Sequence, residues 1–456
     1  MVIAAIATAR GEGAVSVVRA SGEGCVAMAD AFFSGSLAGA PPRYMKFGRV
    51  AEKRGGRAIA SDEVLAVRFE AGRSYTGEES VEIHCHGGHA AAERCLSLFL
   101  SNGARIAEPG EFTKRAFLSG RIDLAQAESV QSVIRAKSCE ALESSCRSLG
   151  GELSSRMREV MDELNALRAS IEVRMDYPEE VDGQEIAEIS RGISEIGARA
   201  AALLDRCRVG MALSNGLVAA IAGPPNAGKS SLLNALVGFD RSIVTDAPGT
   251  TRDTVSARFI WRGLEIEFID TAGIRGASDE AERIGVNRAR AALRAADVRV
   301  IVVDSSMPAN RSVYEELTNL PPKPTIIALS KRDLASYKTD GALSDILGAN
   351  IIGSPSVIET SAVTGRGIEA LKDAIFELAA GGAPADESYA ATERITSAIE
   401  SAAALIDEAG RALYAAGADA AGSLLSEAAA AISEQLGVDA SEELLDEIFS
   451  TFCVGK

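Results

Sequence analysis

Aromatic side chains are scarce in this sequence: Phe, Trp and Tyr make up only 5% of it, whereas alanine is abundant. This balance favours helices that pack through small side chains and argues against an all-β architecture. Long apolar runs are also missing, because no stretch approaches the roughly 20 apolar residues of a membrane-spanning helix. The apolar run at the N-terminus is too short for a secretory signal and has no basic segment before it. We therefore expect no membrane segment.

Paired cysteines and an excess of positive charge are lacking as well. The seven cysteines are scattered and include no Cys-x-x-Cys pair, which argues against a disulfide framework or a structural zinc site and favours a cytoplasmic location. The formal net charge is −17, which argues against binding of nucleic acid through diffuse positive charge. A local basic patch or a basic partner is still compatible with this charge.

The three histidines stand together at His84, His86 and His89. On a strand, His84 and His86 would share a face, where they would be able to hold a metal ion. The sequence shows no further cluster of metal-binding residues to complete such a site, so we interpret the segment as an ordinary strand end.

The hydrophobic pattern changes along the 456 residues. Alternation with period two predicts a small α/β domain in residues 1–116. Apolar residues at three- and four-residue steps predict helices in 117–214, including a long amphipathic helix over Leu153–Ile171. Strands alternate with helices in 215–377, which predicts a doubly wound α/β domain. Helical periodicity returns in 378–456, so we expect a helical domain interrupted by an inserted α/β domain.

A phosphate-binding loop, GPPNAGKS, occupies Gly223–Ser230 between a predicted strand and a predicted helix. Its main-chain N–H groups would surround phosphates, Lys229 would neutralise the charge of the β- and γ-phosphates, and Ser230 would bind Mg²⁺. This context disfavours an ordinary glycine-rich turn. The predicted nucleotide contacts of the loop are Asn226, Ala227, Gly228, Lys229, Ser230 and Ser231.

Two later segments fit the metal and the γ-phosphate. The GTTRD segment at residues 249–253 is a predicted switch loop, which would place Thr251 on the metal. The DTAG segment at residues 270–273 ends a predicted strand, so Asp270 would hold Mg²⁺ through water and the Gly273 amide would contact the γ-phosphate. The predicted contacts of this region are Thr245, Asp246, Ala247, Pro248, Gly249, Thr250, Thr251, Asp270, Thr271, Ala272 and Gly273.

Two more segments fit a guanine base. Ser330, Lys331 and Asp333 belong to the SKRD segment at the end of a predicted strand, where the carboxylate would accept both N–H groups of the guanine edge. Ser361 and Ala362 follow another strand and fit the loop that contacts the guanine oxygen. Five motifs in this order predict a GTPase.

Further motifs complete a resemblance to a family. Asn226 within the phosphate loop, the GTTRD switch and the C-terminal Phe452–Lys456 (FCVGK) resemble the MnmE (TrmE) family of tRNA-modification GTPases. Near the N-terminus, Ser74–Glu78 (SYTGE) and Glu108–Phe112 (EPGEF) match as well. The resemblance covers nearly the whole chain. The other matching segments are Arg115–Leu118 and Asp123–Glu128.

The resemblance implies a homodimer held by the N-terminal domain and a heterotetramer with an FAD-dependent partner. Together they would attach an aminomethyl or carboxymethylaminomethyl group at C5 of the wobble uridine of certain tRNAs. The one-carbon donor would be 5,10-methylene- or 5-formyl-tetrahydrofolate, and the amine donor would be glycine or ammonium. The implied domains are a folate-binding domain (1–116), a helical domain in two parts (117–214 and 378–456) and a Ras-like G domain (215–377).

The resemblance also implies how GTP is hydrolysed. Ras-type enzymes have glutamine after DTAG, whereas this chain has Ile274, so Glu282 would act on the attacking water through a bridging water. A potassium ion would supply the cation at the phosphates, with Arg252 and Arg275 as local alternatives. The implied potassium ligands are Asn226, Thr245, Ala247 and Thr250, and the magnesium ligands are Ser230 and Thr251.

The remaining implied residues concern tRNA modification. Cys453 would act there as a nucleophile or as a positioning group. A folate needs a carboxylate for its pterin N–H groups and cations for its glutamate tail. By resemblance, the folate-binding residues are Arg19, Glu82, Arg121 and Lys456.

The chain departs from the family at one position. The guanine motif begins with Ser330, where the family has an asparagine whose amide ties the base-binding loop to the phosphate loop. Serine is shorter, so we expect a weaker tie and a lower affinity for the base. Asp333 is retained, so the preference for guanine should be retained too.

Two other functions are alternatives to this one. A ribosome-assembly GTPase acting as an RNA-binding switch would need a basic RNA-binding appendage, which a chain of net charge −17 does not suggest. A non-enzymatic folate-binding scaffold would carry a degenerate nucleotide site, but Lys229, Ser230, Thr251 and Asp270 are all intact. The leading prediction is a GTP-hydrolysing enzyme of tRNA modification.

Overall fold

The computed structural model has two compact units. The first comprises Met1–Gln131 and Ile432–Lys456, and the second comprises Ser132–Ala431. No helix in the described part of the chain is long and apolar enough to cross a membrane. The described residues are 1–54, 57–176, 183–238, 256–270, 290–306, 321–334, 356–380, 383–438 and 440–456.

A six-stranded sheet forms the centre of the first unit. Its strands are β1 (Ile3–Ile6), β2 (Val15–Ser21), β3 (Lys46–Arg54), β4 (Arg57–Phe69), β5 (Ser80–His86) and β6 (Arg105–Ile106). They lie in the order β3-β4-β5-β2-β1-β6, and every neighbouring pair is antiparallel except β1 and β6. Side chains along a strand point alternately to the two faces of the sheet. On β5, Val81 and Ile83 are buried on one face, whereas Glu82 and His84 are half-buried on the other.

Helices cover the buried face of this sheet. Val26 of the first helix and Leu98 and Phe99 of the second pack into one apolar core with the inward residues of the strands. The T-shaped contact between Phe32 and Phe99, with ring centroids 5.0 Å apart, lies in the same core. The helices of this part are α1 (Cys25–Asp30), α2 (His89–Ser101), α3 (Glu111–Leu118) and α4 (Leu124–Arg135), the last of which begins in this unit.

The second unit contains long helices before and after an α/β domain. The predicted amphipathic helix is confirmed, because Leu153, Met157, Leu164 and Ile171 are buried along one helix. That helix ends at Asp176, before the Tyr177-Pro178 pair expected to break it, which lies outside the described residues. The helices are α5 (Cys139–Leu149), α6 (Glu152–Asp176), α7 (Gly183–Asn215), α8 (Lys229–Gly238), α9 (Ile368–Ala380), α10 (Glu393–Ala415) and α11 (Ala418–Gln435), the last of which begins in this unit.

The α/β domain has a second six-stranded sheet. Its strands are β7 (Leu217–Ala222), β8 (Ser256–Trp261), β9 (Leu264–Asp270), β10 (Val298–Asp304), β11 (Thr325–Ser330) and β12 (Ser356–Glu359). The order is β12-β11-β10-β7-β9-β8, and all neighbours are parallel except β8 and β9. Every residue of β10 is buried, as expected for a parallel strand covered on both faces. The predicted fold class is therefore confirmed.

The C-terminal helix and tail belong to the first unit. Helix α12 (Glu442–Ser450) is followed by a tail in which Val454 forms an isolated antiparallel bridge with Pro109. The Phe112 N–H donates to the main-chain oxygen of Lys456 at 3.2 Å. Gly455 has a φ of 98°, and a Cβ there would lie 2.4 Å from the carbonyl oxygen of Ile6. The tail is thus seated on β1 and on the start of α3.

Two glycines of α7 give a matched stability test. A Cβ at Gly210 would lie 1.9 Å from the carbonyl oxygen of Tyr389, so Gly210→Ala must displace main chain and should destabilise the protein by about 1–3 kcal/mol. At Gly197 the nearest atom would be Ile406 Cγ2 at 3.4 Å, so Gly197→Ala should stabilise the helix by about 0.5–1 kcal/mol. Urea unfolding of both variants measures the difference, and equal stabilities would contradict this packing.

Candidate functional sites

The phosphate loop joins β7, in the middle of the parallel sheet, to α8. Carboxyl ends of parallel strands meet at one edge, so the loop opens at the crevice typical of such sheets. Asn226 and Gly228 have φ angles of 64° and 93° and turn the chain tightly. Lys229 begins α8, and its Nζ donates to the carbonyls of Gly223 and Pro224 at 3.0 and 2.9 Å. The loop therefore has the compact form in which main-chain N–H groups surround an anion.

The base-binding segment is tied to this loop through the serine that replaces asparagine. Ser330 ends β11 and is 5% exposed. Its Oγ donates to the carbonyl of Ala227 at 2.6 Å, and the carbonyl of Val303 lies farther away at 3.1 Å. A hydroxyl carries one proton, so the shorter contact takes the hydrogen bond. Serine was expected to weaken the tie between the base-binding segment and the phosphate loop. The structure contains this tie, although the serine hydroxyl has one hydrogen to donate where an asparagine amide has two.

An ion pair and a hydrogen bond hold the rest of the base-binding segment. Lys331, at a φ of 59°, pairs through Nζ with Asp304 of β10 at 2.6 Å. Burial raises the pKa of Asp304, but hydrogen bonds from Lys331 and Ser306 outweigh it and lower that pKa. Ser361 Oγ donates to Asp333 at 2.6 Å, which joins the two predicted base-contacting segments. Asp304 was not among the predicted residues, although its place at the carboxyl end of β10 was a usable signal.

Part of the predicted nucleotide site lies outside the described residues. Asp270 is described through its main chain only, as the last residue of β9 opposite Ile221 of β7. The switch-loop ligands and the water-orienting Glu282 stay predictions. The residues that lie outside the described part of the chain are Thr245, Asp246, Ala247, Pro248, Gly249, Thr250, Thr251, Thr271, Ala272, Gly273 and Glu282.

The first unit contains a cavity of about 490 Å³. Arg19, Glu82 and Arg121, three of the four residues predicted for a folate, line it. Sequence reasoning missed Arg43 and Arg73, which line it too and belong to no motif. The volume lies in the range of pockets for small organic ligands.

Aromatic and charged groups alternate along the cavity wall. Arg19 pairs with Glu82, with a distance of 2.8 Å from the NH2 nitrogen to Oε1, and both side chains are largely buried. The guanidinium carbons of Arg19 and Arg121 lie 5.1 and 5.2 Å from the centre of the Tyr75 ring. Tyr75 Oη is 2.9 Å from Thr113 Oγ1, which fixes the ring. The wall thus offers a flat aromatic face, a carboxylate and guanidinium groups to one ligand.

The C-terminal tail approaches the same charges. Burial lowers the pKa of Lys456, and the Arg19 guanidinium lowers it further, whereas Cys453 and Glu82 act in the opposite direction. The Cys453 side chain is exposed, while its carbonyl accepts from the Gly110 N–H at 3.5 Å. The four predicted folate residues and the predicted reactive cysteine therefore belong to one compact unit.

The matched N-terminal motifs meet in an ion network that is structural. Arg115 pairs with Glu78 at 2.8 Å and with Glu111 at 3.0 Å, and Arg105 pairs with Glu111 at 2.6 Å. Burial raises the pKa of Glu111, but hydrogen bonds from Arg105, the Glu108 N–H and Arg115 outweigh it and lower that pKa. This network joins the SYTGE and EPGEF segments beside α3.

The histidine segment holds ordinary polar contacts at the end of β5. His86 Nδ1 lies 2.6 Å from Asp62 Oδ1, and His84 Nε2 lies 3.6 Å from Glu82 Oε2. No group of three or more possible metal ligands occurs among the residues that the structure describes.

These features define a class first. A doubly wound domain whose central strand leads into such a loop, with a carboxylate for guanine following β11, is a Ras-like G domain, and the protein is a phosphate-loop GTPase. The flanking regions give the family: the description "GTP-binding protein TrmE N-terminus" matches residues 2–121, and "MnmE helical domain" matches residues 124–453. The chain belongs to the MnmE family of tRNA modification GTPases.

Relatives named "tRNA modification GTPase MnmE" match along their whole length. The protein of Moorella thermoacetica is 39% identical over 466 residues, covering 100% of this chain and 99% of its own. That of Synechococcus sp. is 37% identical over 468 residues, covering 100% and 98%. That of Geobacillus kaustophilus is 38% identical over 474 residues, covering 100% and 99%.

The Ser330 tie gives a test of nucleotide retention. Ser330→Ala removes the hydrogen bond to Ala227 and should cost about 1 kcal/mol, which is roughly a fivefold faster release of GDP. Thr360→Val is the matched control, because Thr360 is fully buried next to β12 and its Oγ1 donates to the Leu329 carbonyl at 3.3 Å. Stopped-flow release of a fluorescent GDP measures both, and equal release by Ser330→Ala and wild type would refute the tie.

Proposed function

We propose that the chain is a potassium-dependent GTPase that works as a homodimer with an FAD-dependent partner, in a heterotetramer. The complex adds an aminomethyl or carboxymethylaminomethyl group at C5 of the wobble uridine of certain tRNAs, with a tetrahydrofolate one-carbon unit. Family membership supports GTP, Mg²⁺ and tRNA as its ligands. The observation that carries the folate step is the tail docked on α3, because it brings Cys453 and Lys456 into the unit of the arginine-lined cavity.

The cavity residues suit a reduced folate, which supplies a one-carbon unit when bound. The Tyr75 ring offers a stacking face, since it already packs against the guanidinium groups of Arg19 and Arg121. Glu82 is largely buried and can accept from the pterin N–H groups. Lys456 and the arginines attract the carboxylates of the glutamate tail. Cys453 is exposed and can meet the uridine base from outside.

The phosphate loop suits the proposed potassium site. Asn226 is exposed and has a φ of 64°, so its amide oxygen is accessible beside the phosphate position. Thr245, Ala247 and Thr250 would complete the shell, and Ser230 with Thr251 would bind Mg²⁺. Glu282 would orient the attacking water.

An apolar sheet face supports the homodimer. Phe47 and Leu65 lie opposite each other on β3 and β4 and are 67% and 42% exposed. Val15, Tyr44 and Met45 add exposed apolar side chains on β2 and before β3. Large exposed apolar groups concentrated in one region are typical of protein interfaces. We propose that two N-terminal domains, residues 1–116, pair through this face.

Cys453 gives the test of the modification step. Cys453→Ser should abolish or strongly reduce the C5 modification, because serine is a far weaker nucleophile, while GTP hydrolysis stays within about twofold of wild type. Cys139→Ser is the control, since Cys139 is also exposed but lies on α5. Mass spectrometry of tRNA nucleosides from complemented cells measures modification. Full modification in the Cys453→Ser strain would remove this cysteine from the mechanism.

Potassium dependence gives the test of the nucleotide step. GTP hydrolysis should rise steeply with KCl and little with NaCl at matched ionic strength, because the smaller Na⁺ fits the same oxygens poorly. Asn226→Ala should lose the response to K⁺, and Glu282→Ala should lose turnover while still binding GTP. Asn234→Ala, on the exposed face of α8, should behave as wild type. Equal rates in the two salts would instead favour Arg252 or Arg275 as the cation.

A further inference from the structure

The cavity of the first unit carries more positive charge than its own carboxylate can balance. Four arginines line it, at positions 19, 43, 73 and 121, together with one acidic residue, Glu82. Glu82 is engaged by Arg19. Among the described residues, no carboxylate lies within ion-pair distance of Arg43, Arg73 or Arg121. Such a concentration is unexpected by chance in a protein of net charge −17, so it indicates a ligand with several negative charges.

Arg43 and Arg73 are held in place by main-chain contacts. Arg43 is in the left-handed region at a φ of 61°, which costs a non-glycine residue about 1–2 kcal/mol. Its N–H donates to the Arg68 carbonyl at 2.9 Å, and its guanidinium donates to the Arg73 carbonyl at 2.9 Å. Arg73 N–H donates in turn to the Glu70 carbonyl at 3.1 Å. The Arg43 guanidinium and the main chain of Arg73 therefore belong to one local structure, and both residues line the cavity.

Arg43 and Arg73 are separated from the half-buried Arg19–Glu82 pair along the sheet. Arg19 is on β2, whereas Arg43 bonds to the main chain of β4, and β5 lies between these strands. Two strand spacings amount to about 10 Å. Tyr75 and Arg121 lie along the same wall. A ligand whose ring system sits between Glu82 and Tyr75 would reach Arg43 and Arg73 through its tail, and a single glutamate offers only two carboxylates to the three arginines that have no carboxylate beside them.

We propose that the cavity selects folates with a tail of several γ-linked glutamates, whose additional carboxylates pair with Arg43 and Arg73. This inference rests on the proposed binding of tetrahydrofolate. It adds the length and charge of the tail as the feature that the outer arginines recognise. A concave wall that combines these arginines with an aromatic ring and a half-buried carboxylate favours this small ligand over the phosphates of a nucleic-acid backbone.

The test compares tetrahydrofolate with one and with three glutamates, titrated calorimetrically into the full-length protein. The triglutamate form should bind about tenfold more tightly, as two partly exposed ion pairs would provide. This ratio should fall as ionic strength rises, because exposed ion pairs are screened. A ratio of one, or a ratio that does not change with salt, overturns the inference. Absence of binding by both forms would instead overturn the proposed folate function itself.

Variants show which residues cause the preference for the triglutamate over the monoglutamate form. Arg73→Ala and Arg43→Gln should each reduce it to about threefold, and the double variant should bring it close to one. Arg49→Ala is the matched control, because Arg49 is exposed on β3, pairs with Glu63 at 2.7 Å and does not line the cavity. If the variants lower the affinity for both tetrahydrofolates equally, the arginines do not recognise the additional glutamates, and the inference fails. If an RNA oligonucleotide displaces the triglutamate in wild type but not in the double variant, the arginines bind phosphate backbone and the inference fails.

Discussion

Each site depends on a glycine that lets two main-chain segments approach more closely than a side chain would permit. Gly223 opens the phosphate loop, and a Cβ there would lie 2.5 Å from the carbonyl oxygen of Val302 on β10. Gly455 lies equally close to Ile6 on β1. In both cases a cationic residue follows within a few positions, Lys229 in the loop and Lys456 in the tail. Close main-chain contact therefore fixes where each ammonium group can act.

The fold was accessible from the sequence because short apolar or alternating runs of strand length differ from the three- and four-residue apolar steps of a helix. The run VRVIVVD became β10, with every residue buried, and the alternating LEIEFID became β9. The periodic apolar residues from Leu153 onward became α6. These patterns report local burial, and short-range periodicity is enough to predict it.

Site residues could be predicted from the sequence only where they belong to one short motif whose local structure is determined by its own residues. The phosphate loop was predicted because its glycines and lysine act within eight consecutive residues. The strength of the Ser330 tie was not, because it depends on how closely β11 approaches the loop, which is a tertiary distance. Arg43 and Arg73 were missed for the same reason: Arg43 precedes β3 and Arg73 follows β4, and only the pairing of these strands brings them to one wall.

The distribution of charge connects these observations. Arg115 serves structure, because it lies between the carboxylates of Glu78 and Glu111. A buried, paired guanidinium gains little net energy, because desolvation offsets much of the attraction. Guanidinium groups without a carboxylate beside them, such as the exposed Arg43 and Arg73 of the cavity wall, remain available to an incoming anion. In a strongly acidic protein, such a wall is a place where an anionic ligand is attracted rather than repelled, as the proposed binding of a folate requires.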